Sequence, residues 1–385
     1  MESHTVVASS RKIISILFVF GCCVLLFEYK IIHKFGTVKI KGRKRVEPWQ
    51  DRRETTGKQV TAFRLPNVLQ NLTTKGTEET FADQHSTNYS YFDFPEHLNI
   101  NVDSFLSQDY NLSRERWLTL MEARQQMRLE KINFFCQKYN IREKSVAEFV
   151  RRKPFRHALY ANDQQKIVFG IVLKVASNHF KKVLKQFGGT KRLYMLPDEK
   201  CKHRLENFFK VLFVRHPLAR ILSAYRDKFV DHHIPHFVHI GRRIIGSERK
   251  GATPLEVKEA IDVSLPEFIK YTTKGPMTRS NAHWNLIWYH NHVCDLRYDF
   301  IGKLETIGDD FAYLVHKVSD GRLNASHYKL MKAYRGYHGD QEKLRTYYRN
   351  VSTALLKVWY DIYKRDFELF GYSMNILGSD LWPFQ

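Results

Sequence analysis

Residues 211–229 read "VLFVRHPLARILSAYRDKF". Residues 211–214 are apolar and end in Arg215, His216 and Pro217, after which an amphipathic run follows. A short apolar run stopped by a proline reads as a buried strand of a parallel sheet. Pro217 suits the first turn of a helix, where its missing N–H would have no intrahelical partner anyway. Leu218, Ile221, Leu222, Tyr225 and Phe229 then recur at helical spacing and make one apolar face. The stretch is therefore strand, tight turn, helix. Ligands of open α/β sheets bind at the carboxyl ends of the strands, and Arg215 stands at such an end. An arginine fork with a hydroxyl nearby, here Ser223, makes a good phosphate grip. Taken alone, the same residues also fit an ordinary solvated helix start.

A second turn of this kind lies upstream. "KIVFGIV" at 166–172 reads as the first buried strand, and it runs into "LKVASNHFKKVLKQFGG" at 173–189. Lys174 follows the strand, Val175, Ala176 and Ser177 form a turn of small residues, and Phe180, Val183 and Leu184 begin a helix. Backbone N–H groups at a helix start, together with a lysine, make an anion cradle. The segment lacks the glycines and the G-K-[ST] of a Walker loop, and in isolation a plain strand–helix connection explains it as well. Two such turns together could hold the two ends of a nucleotide carrying two separate phosphate groups.

The rest of the chain sets the frame. It has 385 residues and a formal net charge of +22, which calls for an anionic partner: nucleic acid, an acidic membrane surface or an anionic substrate. Residues 13–27 carry no charge, and continuing to Ile32 gives the ~20 residues a spanning helix needs, with Glu28 and Lys30 near enough to the end to snorkel. No A-x-A-like cleavage site follows, which favours an uncleaved signal anchor over a signal peptide. The expected order is a cytoplasmic tail at 1–12, a transmembrane anchor at 13–32, a polar stem at 33–112 and a globular domain at 113–385. The basic residues from Lys30 to Arg45 outnumber Arg11 and Lys12, so the positive-inside rule taken literally places the long part in the cytosol. Five N-x-S/T sequons, at Asn71, Asn88, Asn111, Asn324 and Asn350, argue for the lumen, and long domains translocate largely regardless of flanking charge. Outside the anchor, which holds Cys22 and Cys23, stand Cys136, Cys201 and Cys294: enough for one disulfide and one thiol left over. There is no C-x-x-C pair for a structural zinc site. Residues 113–152 read as helical, and from 166 onward apolar runs alternate with helical patterns, the mark of an α/β sheet.

At this point the motifs resemble a known family. "LKVASNHFKKVL" is similar to the 5′-phosphosulfate loop of the Golgi carbohydrate sulfotransferases, usually P-K-V-[AG]-x-T-x-W-K. "FVRHPLARILSAYRDKF" resembles their 3′-phosphate motif, usually F-V-R-[DE]-P-F-x-R-L-x-S-A-[FY]-R-[DN]-K-F. "NAHW" at 281–284, "YDFIGKLET" at 298–306 and "LLKVWYDIYKRDFELFGYS" at 355–373 are similar to family segments in the same order. The resemblance spans residues 165–373 and is nearest to the branch with chondroitin and dermatan 4-O-sulfotransferases. It implies a P-loop-like α/β fold, a central parallel sheet flanked by helices, and 3′-phosphoadenosine 5′-phosphosulfate (PAPS) as donor. It also implies a glycan or proteoglycan acceptor and a single-pass type II protein of the Golgi membrane with its catalytic domain in the lumen. Carried over by position, Lys174 with Val175, Ala176, Ser177, Asn178 and His179 holds the 5′-phosphosulfate, and Arg215 with Ser223 holds the 3′-phosphate. The chain departs from the pattern at Leu173 (proline), Asn178 (threonine), Phe180 (tryptophan), His216 (acid) and Asn291 (cysteine).

Sulfuryl transfer in line needs a stabiliser for the leaving oxygen and a base for the acceptor hydroxyl. Lys174 is the expected stabiliser and His283 of "NAHW" the expected base, with His179, His290 and His292 as rivals. No metal is required by this logic. The histidines at 232, 233, 236 and 239 lack the cysteines or carboxylates of a metal set, Asp231 apart. Arg279, Arg242 and Arg243 are candidate grips for an acidic glycan. A membrane-anchored binder of polyanionic glycans that has lost activity is the alternative function. Nucleic acid is disfavoured, since no nucleic-acid module is recognisable. Nothing in the sequence sets an oligomeric state.

Overall fold

A computed structural model describes residues 113–231, 235–274, 281–322 and 341–384. Among these, no helix is long and apolar enough to cross a membrane. The expected anchor and stem, and the sequons at Asn71, Asn88, Asn111 and Asn324, lie outside the described residues.

Five strands form one sheet: β1 (Leu159–Asn162), β2 (Ile167–Gly170), β3 (Lys191–Arg192), β4 (Phe209–Val214) and β5 (Phe300–Lys303), in the order β3-β1-β2-β4-β5. β2, β4 and β5 run parallel, with Phe169 opposite Val211 and Val211 opposite Phe300. β1 is antiparallel to β2, and β3 is antiparallel to β1. The sheet is thus mixed, which corrects the expectation of a parallel one. The reason is local: residues 163–166 are too few for a crossover, so β1 and β2 can only make a hairpin.

The helices that bear on the site are α1 (Arg114–Lys138), α2 (Ser177–Gln186), α3 (Pro217–Tyr225), α4 (Pro235–Glu248), α5 (Leu265–Thr272), α6 (Ile307–Val318) and α7 (Thr353–Phe370). The helical expectation for 113–152 resolves into α1, capped by the Ser113 hydroxyl, and a short helix Val146–Arg151 with a Ser145/Glu148 capping box. Aromatic side chains fill the centre of the sheet. Phe180, at the place of the family's tryptophan, is 1% exposed and packs its ring 4.8 Å from Phe169 and 4.5 Å from Phe213. At that position this chain thus keeps an aromatic side chain, and it belongs to the core.

Two ties fix this core to α1. Asp310 of α6 is fully buried and accepts from Arg128 (2.8 Å), Arg124 (3.3 Å), the Thr306 hydroxyl (2.7 Å) and the Lys303 amide (2.8 Å). Burial pushes its pKa up, but the two arginines and these hydrogen bonds outweigh it and hold the carboxylate below its usual range. The end of β5 is thereby held in place. Cys136 of α1 and Cys294 form a disulfide with a Cα–Cα distance of 5.6 Å, and Cys201 is a buried thiol. The bridge joins positions 158 apart. By loop entropy alone, such a link is worth about 4–5 kcal/mol.

Candidate active site

Parallel neighbours deliver their carboxyl ends side by side. The segments that leave β2, β4 and β5 therefore meet, and together they line a cleft of ≈ 720 Å³. Lys174, Ala176, Ser177, Asn178 and His179 enter it from the β2 side. Arg215 and Ser223 enter from β4 and α3, and His283 closes it from the 281–286 loop. Val175 differs from its neighbours: its side chain is buried in the core, and its N–H donates to the Val172 carbonyl at 3.4 Å.

The loop after β2 is built against backbone preference. Lys174 has φ 68° and Ala176 φ 51°, left-handed values that residues with a Cβ adopt at a cost of order 1–3 kcal/mol each. Two arginines brace it by pinning consecutive carbonyls. Arg220 donates from Nε to the Leu173 carbonyl at 3.0 Å, and Arg215 donates from Nη1 to the Lys174 carbonyl at 3.0 Å. α2 then starts at Ala176 with no side-chain cap, which suits its N-terminus to an anion.

Charge in the cleft is organised around Asp227. Its Oδ2 lies 2.9 Å from Lys174 Nζ and 2.9 Å from Lys228 Nζ. Burial would raise the carboxyl, yet the hydrogen bonds from Lys228 and Lys174 dominate and bring it to about 2. Burial lowers the Lys174 pKa, Asp227 works against that, and Lys228 and Arg215 push it down further. Asp227 and Lys228 were missed by sequence reasoning although both stand in the quoted stretch. A usable signal was there: Asp227 lies four residues after Ser223, one helical turn along the same face. Here α3 passes into a π-turn over Arg226–Val230, a feature frequent at functional sites.

His216 replaces the family's acid and is almost fully buried. Its backbone N–H donates to Glu305 Oε1 at 2.8 Å, its ring Nε2 lies 2.9 Å from the Ser373 carbonyl, and its ring sits edge-on to Phe367 and Tyr372. Burial lowers its pKa and favours the neutral form. It ties the end of β4 to the segment after β5 and to the chain beyond α7.

His283 Nδ1 lies 2.7 Å from Asn281 Oδ1, which also accepts the His283 amide at 3.0 Å. An oxygen that accepts both assigns the proton to Nδ1 and leaves the Nε2 lone pair available. Burial first, then the positive charges of Lys228 and Lys174, lower the His283 pKa to about 4. Of the rivals, His179 lines the cleft. His290 and His292 do not: His290 is more than half buried elsewhere, and His292 stacks on Phe155 at 3.8 Å and pairs with Asp295 at 3.1 Å. His232, His233 and Arg279 lie outside the described residues. Arg242 donates to the Lys258 carbonyl at 2.7 Å, and Arg243 is exposed. No group of three or more metal-binding side chains occurs among the described residues.

The 282–288 segment is held from two sides. Arg220 donates to the carbonyls of Ala282 (3.1 Å) and Asn285 (2.6 Å). From α7, Tyr363 donates to the Trp284 carbonyl, and Asp366 accepts the amides of Ile287 (2.8 Å) and Trp288 (2.9 Å). Burial, against those two amide bonds, raises the Asp366 pKa to about 6.

Known proteins are similar to this chain in sequence. Carbohydrate sulfotransferase 14 of Danio rerio is 31% identical over 269 residues, which is 65% of this chain and 72% of that one. Carbohydrate sulfotransferase 11 of Rattus norvegicus is 28% identical over 250 residues, 58% of this chain and 69% of that one. Carbohydrate sulfotransferase 8 of Mus musculus is 26% identical over 314 residues, 74% of this chain and 71% of that one. No solved structure matches significantly. The sulfotransferase family (Sulfotransfer_2) matches residues 156–373, a span that holds both loops of the cleft, the His283 segment and all of α7, and the chain belongs to that family.

Proposed function

We propose that this chain transfers a sulfuryl group from PAPS to a hydroxyl of a glycan, of the chondroitin or dermatan kind or a related chain. The reading is carried by one observation: two strand–turn–helix loops, from adjacent parallel strands, open onto the same cleft as His283, whose Nδ1 faces Asn281 Oδ1. In this reading Arg215 and Ser223 hold the 3′-phosphate, and Lys174 with the α2 N-terminus holds the 5′-phosphosulfate. His283 Nε2 takes the acceptor proton as the acceptor oxygen bonds to sulfur. The bond from sulfur to the phosphate oxygen breaks, and Lys174 stabilises the charge left on that oxygen. The names of the relatives support a carbohydrate acceptor.

The test is transfer of label from PAPS to a panel of desulfated glycosaminoglycans and N-glycans, followed by disaccharide analysis. Label in no acceptor, from protein that binds no PAPS in preference to ATP, would leave only a polyanion binder. Arg215→Ala sharpens the test. Charge-assisted bonds to phosphate contribute about 1.5–3 kcal/mol each, so PAPS should bind roughly ten- to a hundred-fold more weakly. Adenosine 5′-phosphosulfate, which has no 3′-phosphate, should lose much less. Because Arg215 also braces the Lys174 carbonyl, some loss is expected with both nucleotides. An unchanged ratio of the two affinities, measured by calorimetry on folded protein, would remove Arg215 from the 3′-phosphate site.

We further propose that the catalytic domain lies in the Golgi lumen, behind a type II anchor. Two features support this: a disulfide, which persists in oxidising compartments, and the exposure of the Asn350 sequon. N-glycosidase treatment of the expressed protein should increase its mobility on a gel. No shift, together with cleavage of the domain by protease added from the cytosolic side, would reverse the topology.

A further inference from the structure

We propose that Arg220 is a positioning residue that locks the donor loop to the His283 segment and so sets the separation between leaving-group stabiliser and base. This rests on the sulfuryl-transfer reading above. Arg220 is 2% exposed and lies on α3, between the two segments. Among the described residues its guanidinium donates to no carboxylate. It spends its donors on three carbonyls: Leu173, immediately before Lys174, and Ala282 and Asn285, either side of His283 and Trp284. A buried cation is costly unless its donors are satisfied. A planar fork with several donors in fixed directions can bridge two backbones, and an ammonium cannot reproduce that geometry.

The arrangement is specific to the two functional segments. The Leu173 carbonyl sits at the entry to the left-handed turn that aims Lys174. The carbonyls at 282 and 285 belong to the loop that Asp366 and Tyr363 hold from the opposite side. Arg220 is the element common to both, so a shift of one segment is transmitted to the other. Arg215, just after β4, and Ser223, on α3, line the cleft and in this reading meet the donor directly, whereas Arg220 acts through the backbone.

Arg220→Lys, compared with the parent protein, tests this. Misplacing reacting groups by about 1 Å costs on the order of 100-fold in rate. The expected result is a fall in kcat of roughly 10- to 100-fold, with affinity for adenosine 3′,5′-bisphosphate, read by calorimetry, nearly unchanged. Folded protein with parental kcat would overturn the proposal, and so would kcat and nucleotide affinity falling together. A second measurement needs no variant. On adding adenosine 3′,5′-bisphosphate to the parent protein, hydrogen exchange should slow at residues 284–288 as well as in the donor loop. Slowing confined to the donor loop would also overturn it. Failure of the sulfuryl-transfer reading itself looks different: the parent protein would then transfer no label at all.

Discussion

Lys174→Ala is expected to lower kcat about 10²- to 10³-fold, the range seen when one preorganised donor to a developing anion is removed. The effect belongs to the transition state. Before reaction the lysine already has a partner, Asp227 at 2.9 Å, so part of its charge is compensated in the resting cleft. Charge that appears on the leaving oxygen draws on the remainder, and the low local dielectric strengthens the interaction. Affinity for adenosine 3′,5′-bisphosphate should fall much less than kcat. Lys228, on the other side of Asp227, still offsets that carboxylate in the variant. The check is a pair of measurements on one preparation: kcat from label transfer and product affinity from calorimetry. An unchanged kcat, with equal losses in affinity and in kcat/KM, would reduce Lys174 to a binding residue.

His283→Ala should cost about 10²- to 10⁴-fold in kcat, as removal of a general base does. The pH profile carries the more specific expectation. A base must be neutral to act, and the His283 pKa in the free protein is about 4. It therefore stays competent as pH falls from 7 to about 5, and kcat/KM, which reports the free enzyme, should hold over that range and drop as pH passes through about 4. An ordinary histidine base would begin to fail near its usual value of about 6.5. Much of the depression beyond burial comes from Lys228 and Lys174. A bound polyanionic nucleotide offsets those charges, so the acidic limb of kcat should lie at higher pH than that of kcat/KM. Profiles with both limbs near 6.5, or a His283→Ala variant within a few-fold of the parent, would assign the base elsewhere. His179, the other rival on the cleft wall, is then the next residue to replace.

The positions of the two strand–turn–helix loops could be read from the chain because each depends on local order alone. An apolar run, a turn and an amphipathic run are contiguous in "VLFVRHPLARILSAYRDKF", and their meaning changes little with what packs around them. The same holds for "KIVFGIV" and the segment that follows it. Val175 shows the limit of that reasoning. It sits within the loop after β2, yet its side chain turns into the core, because the left-handed residues on either side reorient it. β1 and β3 gave no comparable signal. β3 is two exposed basic residues, and β1 is four residues ending in an asparagine, too short and too mixed for periodicity to register.

By itself, then, the order of residues determined that there would be a strand–turn–helix at each loop, and it singled out Lys174, Arg215, Ser223 and His283, which the fold brings to one cleft. Only the tertiary structure decided how they combine. The adjacency of β2 and β4 turns two separate loops into one cleft. Folding pairs Cys136 with Cys294 and leaves Cys201 alone, a choice that spacing does not make. It also gives Lys174 a counter-ion in Asp227 and buries Arg220 among three carbonyls that are remote from it in the chain. The physical reason is the range of the forces involved. Helix and strand preferences act between near neighbours in sequence, whereas ion pairs, buried hydrogen bonds and disulfides depend on distances that exist only once the sheet has closed its core.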